Sequence, residues 1–194
     1  MLTNLNGLQN LAYLTELDLA HNGLGRLDGL DVLKSLTLLR AYQCKLTDIG
    51  GLEGMNIVEM DLRWNQLENI KPLQQLKKLQ KLELTDNLIQ DIRPLWCVTS
   101  LTSLYISNNK IVETNQLQVF RYLNKVEYLS YGNNPFMDNH NKQTEFFLNK
   151  IVKKVVEIVY DRGPEEYVIY TLLNENPQAL EQDAEWPYDF IDNQ

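Results

Sequence analysis

The pattern Leu14-x-x-Leu17-x-Leu19-x-x-Asn22-x-Leu24 occurs six times along the chain, and this repetition limits the fold more tightly than any other property of the sequence. It returns at Leu36, Leu39, Ala41, Cys44 and Leu46, then at Ile57, Met60, Leu62, Asn65 and Leu67. Leu79, Leu82, Leu84, Asn87 and Ile89 follow, then Leu101, Leu104, Ile106, Asn109 and Ile111, and last Val126, Leu129, Tyr131, Asn134 and Phe136. The Asn positions are spaced by 22, 21, 22, 22 and 25 residues, with Cys44 in place of the second Asn. Apolar residues two apart share one face of a short strand, and the Asn that follows turns the chain and can bond backbone groups of the adjacent coil. One coil cannot bury its leucines alone, so the coils must stack around a continuous core with a parallel sheet along one side. Cys44 reads as a small buried thiol in the turn ladder.

The segments between strands have a different period. Leu24, Leu27, Leu30, Leu33 and Leu36, and again Leu67, Ile70, Leu73, Leu76 and Leu79, recur every third residue, which suits short 3-10 turns. Pro72 and Pro94 fall at matching places and can begin such turns. The last repeat is three residues longer, with the insertion in 112–125, where Val119, Phe120 and Leu123 make the apolar side of a longer convex helix. Leu2, Leu5, Leu8, Leu11 and Leu14 reproduce a return segment with no strand before it, so the array is expected to start in mid-repeat.

These motifs resemble the 22-residue class of leucine-rich repeats found in the yeast-type regulatory subunit of protein phosphatase 1, the spliceosomal A-prime protein, an axonemal dynein light chain and bacterial internalins. The resemblance covers residues 2–161. It implies an α/β fold: a right-handed solenoid with a parallel sheet on the concave face, 3-10 or helical turns on the convex face and a helical C-terminal cap. The cap would comprise the turn at Asn134-Pro135, a helix over 143–153 and a final strand over 155–161, although the family's Tyr-Arg pair and its Pro before the strand are missing. The expected organisation is repeats over 1–136, cap over 137–163 and an acidic, aromatic tail over 164–194, within which 165–173 reads as a short helix or strand.

Composition sharpens that division. Residues 1–136 hold 30 leucines and the last 58 residues hold 4. The formal net charge of -8 comes from 18 Lys plus Arg against 26 Asp plus Glu, and residues 164–194 contain eight of the acids and no base, leaving 18 against 18 before them. An acidic or neutral chain does not attract phosphates in bulk, so nucleic acid and anionic membrane are poor partners and a protein is the expected one. The tail offers Trp186, Tyr188 and Phe190 among acids as a linear motif for a basic partner or for docking on its own solenoid.

Two cysteines, Cys44 and Cys97, form neither a disulfide framework nor a metal spacing, and the start of the chain lacks the pattern of a signal peptide. The expectation is a soluble protein, monomeric apart from its partner, in the cytoplasm or another reducing compartment such as the nucleus or cilium. His21 and His140 have no triad or metal partner at a useful spacing, and no Gly-rich phosphate loop occurs, so no catalytic, cofactor, metal or small-molecule site is expected. Cys97, following Trp96 in a return segment, reads as core.

Strand alternation places the variable positions on the concave face, where this repeat family usually binds. Arg40, Tyr42, Asp61, Arg63, Trp64, Glu83, Tyr105 and Tyr128 are the candidate protein-binding residues, because Tyr, Trp and Arg most often dominate interface energy. The competing reading pairs Asp18, Arg40 and Asp61 across neighbouring strands. The expected function is a non-enzymatic protein-binding scaffold of regulatory or assembly type. A targeting or sensing module of a larger multidomain protein, including an enzyme, is the alternative, and an adhesin resting on the internalin-like run 91–95 is a third reading.

Overall fold

A computed structural model of the chain describes residues 1–52, 54–137, 157–161 and 167–170. Each repeat supplies one three-residue strand: β1 Glu16–Asp18, β2 Leu38–Arg40, β3 Glu59–Asp61, β4 Lys81–Glu83, β5 Ser103–Tyr105 and β6 Tyr128–Ser130. All five pairings among them are parallel and in register, so Leu17, Leu39, Met60, Leu82, Leu104 and Leu129 form one row. From Leu39 onward that row is buried, as are its flanking rows from Leu36 to Val126 and from Ala41 to Tyr131. Each fully buried Leu contributes about 1.5–3 kcal/mol, and the single cluster they form joins every described repeat. The chain is a leucine-rich solenoid, as its repeat predicts.

Sheet order follows chain order without a crossover. A further strand, β7 Glu157–Asp161, continues the sheet parallel to β6, within the range expected for the last strand of a cap. β8 Tyr167–Tyr170 pairs antiparallel to it, which resolves the helix-or-strand ambiguity at 165–173 in favour of a strand. The helix expected over 143–153 and the motif residues Trp186, Tyr188 and Phe190 lie outside the described residues.

The return segments form 3-10 turns at Leu8–Asn10, Leu30–Val32, Lys71–Gln75, Arg93–Cys97, Thr114–Arg121 and Pro135–Met137. Pro72 and Pro94 open two of them, where a missing N–H costs nothing. The inserted residues form the longest turn, with Leu117, Val119 and Phe120 facing the core. Its buried Gln116 ties it to the preceding coil, accepting from the Ile92 N–H at 2.9 Å and donating to the Gln90 carbonyl at 2.9 Å.

Beneath the strands runs a ladder of Asn side chains. Asn65 accepts from the N–H groups of Cys44 (3.0 Å) and Leu46 (2.9 Å) and donates to the carbonyls of Ala41 (2.9 Å) and Leu62 (2.8 Å). Asn87, Asn109 and Asn134 donate in the same way one coil further on each time, while among the described residues each accepts from a single N–H, that of Leu67, Ile89 and Ile111 respectively. The ladder satisfies backbone groups that the turn would otherwise bury unpaired, the reason for Asn at this position. Cys44 reproduces half of it: its thiol donates to the Leu19 carbonyl at 3.0 Å but offers no amide oxygen.

That environment makes a chemical prediction. Burial pushes the Cys44 thiol up from its ordinary value, whereas Cys97 is only half-buried on the convex side. Thiolate is the reactive form, so a disulfide reagent should titrate Cys97 first and reach Cys44 only on unfolding. Equal, fast labelling of both thiols in the folded protein would contradict the buried ladder position.

Candidate protein-binding surface

The residue before each ladder position takes a left-handed backbone conformation. His21, Gln43, Trp64, Asp86, Asn108 and Asn133 all have φ between 53° and 59°. Asn and Asp tolerate this region; a bulky side chain there is an outlier that costs about 1–2 kcal/mol. The signal was present in the sequence as Asp86, Asn108 and Asn133, and Trp64 is the position that departs furthest from it.

Around Trp64 the side chains of three repeats converge. Tyr42 packs edge-on against Trp64 with ring centroids 6.2 Å apart, and His21 packs edge-on against Tyr42 at 4.9 Å. The Arg63 guanidinium lies 5.7 Å from the Tyr42 centroid and 5.2 Å from that of Trp64. A forked pair to Asp61, at 3.0 and 2.7 Å, fixes its orientation. Such forks confer direction as well as attraction. Trp64 remains 46% exposed, so the cluster is ordered by contacts on one side and open on the other.

Asp61 reaches Arg63 because residues two apart on a strand share a face. The competing arrangement, in which Asp18, Arg40 and Asp61 neutralise one another across strands, is absent: Arg40 makes no ion pair among the described residues. The register still places Asp18, Arg40, Asp61, Glu83 and Tyr105 in one row. A shallow depression over β2 to β4 is lined by Arg40, Glu59, Asp61, Arg63, Lys81 and Glu83.

Glu83 is the electrostatic outlier of this face. Desolvation raises its carboxyl to about 7, and Asp61 adds to the rise, while Arg63 and Lys81 act against it. Of the eight candidate residues, six gather here: Arg40, Tyr42, Asp61, Arg63, Trp64 and Glu83. Tyr105 is next to Glu83 in register, and Tyr128, 39% exposed, lies on β6 in the row of Ser103 and Lys81, apart from the cluster. His21, which is not among the eight candidates, joins the cluster through Tyr42. Among the described residues no three His, Cys, Asp or Glu side chains come together to hold a metal, and no helix is long and apolar enough to cross a membrane.

A family model described as "Leucine Rich repeats (2 copies)" matches residues 77–121, and a second, "Leucine Rich repeat", matches residues 10–26. With the stacked strands and the Asn ladder, these make the chain a leucine-rich repeat protein. Its repeats are of internalin-like type. Internalin C2 of Listeria monocytogenes is 30% identical with a TM-score of 0.62, over 69% of this chain and 58% of that one. Internalin InlF of the same organism is 28% identical with a TM-score of 0.64, over 79% and 42%. The functional domain of its InlJ, 22% identical with a TM-score of 0.57 over 68% and 28%, shares the fold. The chain thus spans about half or less of the lengths of most of these structures. Comparison with curated proteins gives no match.

Proposed function

We propose that the protein is a non-enzymatic scaffold that holds a protein partner against the variable face of its sheet. The observation that carries this reading is Trp64. A large aromatic ring is kept half-exposed, at positive φ, beside a forked Arg63 and an ordered Tyr42. The φ is set by the turn common to all six repeats, but folding gives no reason to place Trp there instead of the Asn or Asp of other repeats, and aromatic and Arg anchors of this kind supply most interface energy. Leucine-rich repeats mediate protein interactions generally, which fits a regulatory or assembly role in a reducing compartment, with Cys44 and Cys97 both free.

The test replaces Tyr42, Trp64 and Tyr105 by Ala and compares capture of binding proteins with that of the unaltered chain. A loss of more than about tenfold is expected, since each anchor is worth upwards of about 1 kcal/mol. Unchanged capture by a folded variant sinks the assignment of this face.

A second reading is supported by the likeness to internalins, of whose lengths this chain spans only part. On this reading the repeats are a targeting or sensing module of a longer protein. Sequencing the gene on both sides of the segment decides it: flanking coding sequence for further domains is expected, and immediate stop signals would exclude it.

A further inference from the structure

The reading of the sheet face as a partner site leaves the chemistry of that partner open, and the charges on the face narrow it. On that reading, we propose that the partner enters with a Lys or Arg side chain that seats on the Glu83 carboxylate, between Asp61 and Tyr105.

The variable positions of the six repeats hold six acids against three bases. The three bases, Arg40, Arg63 and Lys81, all line the depression with Glu59, Asp61 and Glu83, so what singles out Glu83 is its lack of a direct partner rather than the local net charge. Arg63 is committed to Asp61 by its fork. Lys81 lies beside Glu59 in register and Arg40 is exposed. Water solvates an exposed guanidinium, so an unpaired Arg40 costs the fold little. Glu83 differs: its carboxylate makes no hydrogen bond and no ion pair among the described residues, yet it is partly withdrawn from water. A partly buried, unpaired carboxylate is paid for in the free protein and relieved by a cation that arrives with its own hydrogen-bond donors.

Access to it is open from one side. Toward the N-terminal repeats Tyr42, Arg63 and Trp64 are packed against one another. Toward the C-terminal repeats the variable positions become small, with Thr85, Ser107 and Gly132 in one row. Tyr105, adjacent to Glu83 on β5, offers a ring beside the incoming cation. The elevated proton affinity of Glu83, produced by desolvation and by Asp61, has the sign expected of a carboxylate awaiting a positive partner. The chain's own acidic segment over 164–194 has the wrong charge to be that partner.

A displayed library of random peptides provides the probe, panned at mildly alkaline pH against the full chain, with Trp64→Ala and Glu83→Gln as comparison targets. Gln keeps the shape of Glu83 and removes its charge, so the variant folds, which a melting curve checks. Expected are peptides enriched in Lys or Arg that lose about tenfold or more of their affinity on Glu83→Gln, the loss typical of orphaning one member of a partly buried pair. Peptides that depend on Trp64 but show no basic enrichment and ignore Glu83→Gln overturn this inference and leave the sheet-face reading standing. A library that yields no binder, or binders indifferent to both substitutions, overturns the sheet-face reading as well.

Discussion

Replacing Asn65 by Ala lowers stability by about 3–5 kcal/mol, seen as a fall in the denaturant midpoint, a loss in the range reserved for breaking a buried polar network. The side chain is 7% exposed and serves four backbone groups at 2.8 to 3.0 Å, two N–H donors and two carbonyls, three of them in the preceding coil. Ala fills none of those roles, and Ala41, Cys44 and Leu46, whose backbone groups it would orphan, are themselves buried. Each group left bare in an apolar interior costs about 1–3 kcal/mol before local relaxation. Hydrogen exchange locates the damage, because the Cys44 and Leu46 amides lose their acceptor and should exchange faster than those of the distant β5 strand. Cys44→Ala is the internal control: one thiol donor is lost, and the expected cost is about 1 kcal/mol. If Asn65→Ala costs no more than Cys44→Ala, the ladder is not what holds adjacent coils in register.

The contrast between these two positions explains how much of the fold was legible beforehand. A five-point apolar and Asn pattern states the strand, the turn and the stacking partner at once, because every term of it is a local geometry repeated at fixed spacing. Cys44 could be placed in the ladder for the same reason. Thr114–Arg121 was readable as an inserted convex turn from Val119, Phe120 and Leu123, all now buried. What alternation could not supply is the partnering of side chains on the variable face. Asp61 had two geometrically reasonable partners, Arg40 across the strand gap and Arg63 two residues along, and only coordinates choose between them. The positive φ at Trp64 was encoded in its repeat equivalents Asp86, Asn108 and Asn133, a comparison between repeats rather than along one of them. The desolvation of Glu83 depends on how Arg63, Lys81 and the neighbouring strands crowd it, which no one-dimensional pattern records.

Glu83 should also make the free protein less stable as pH rises toward neutrality. The carboxyl ionises at an ordinary value of 4.5 in the unfolded chain and at about 7 in the folded one. Between those values the folded chain holds a proton that the unfolded chain has released, so stability falls as pH rises across that interval and the penalty is complete above about 7. The full shift sets an upper limit of about 3 kcal/mol, and solvent reaching a partly exposed carboxylate reduces this to about 1–2 kcal/mol. Asp91 acts with the opposite sign but elsewhere on the pH axis: burial raises its carboxyl, the Arg93 fork outweighs that, and the resulting stabilisation is lost only as pH falls below the ordinary Asp range. Glu83→Gln therefore stabilises the protein above neutrality by about 1–2 kcal/mol and matches it below pH 4.5, where Glu83 is protonated in the unfolded chain as well as in the folded one. Denaturation midpoints of the two proteins across that interval give the difference directly, cancelling every other titrating group. Parallel curves would mean that Glu83 is solvated like a surface carboxylate, and would remove the energetic reason for it to await a cation.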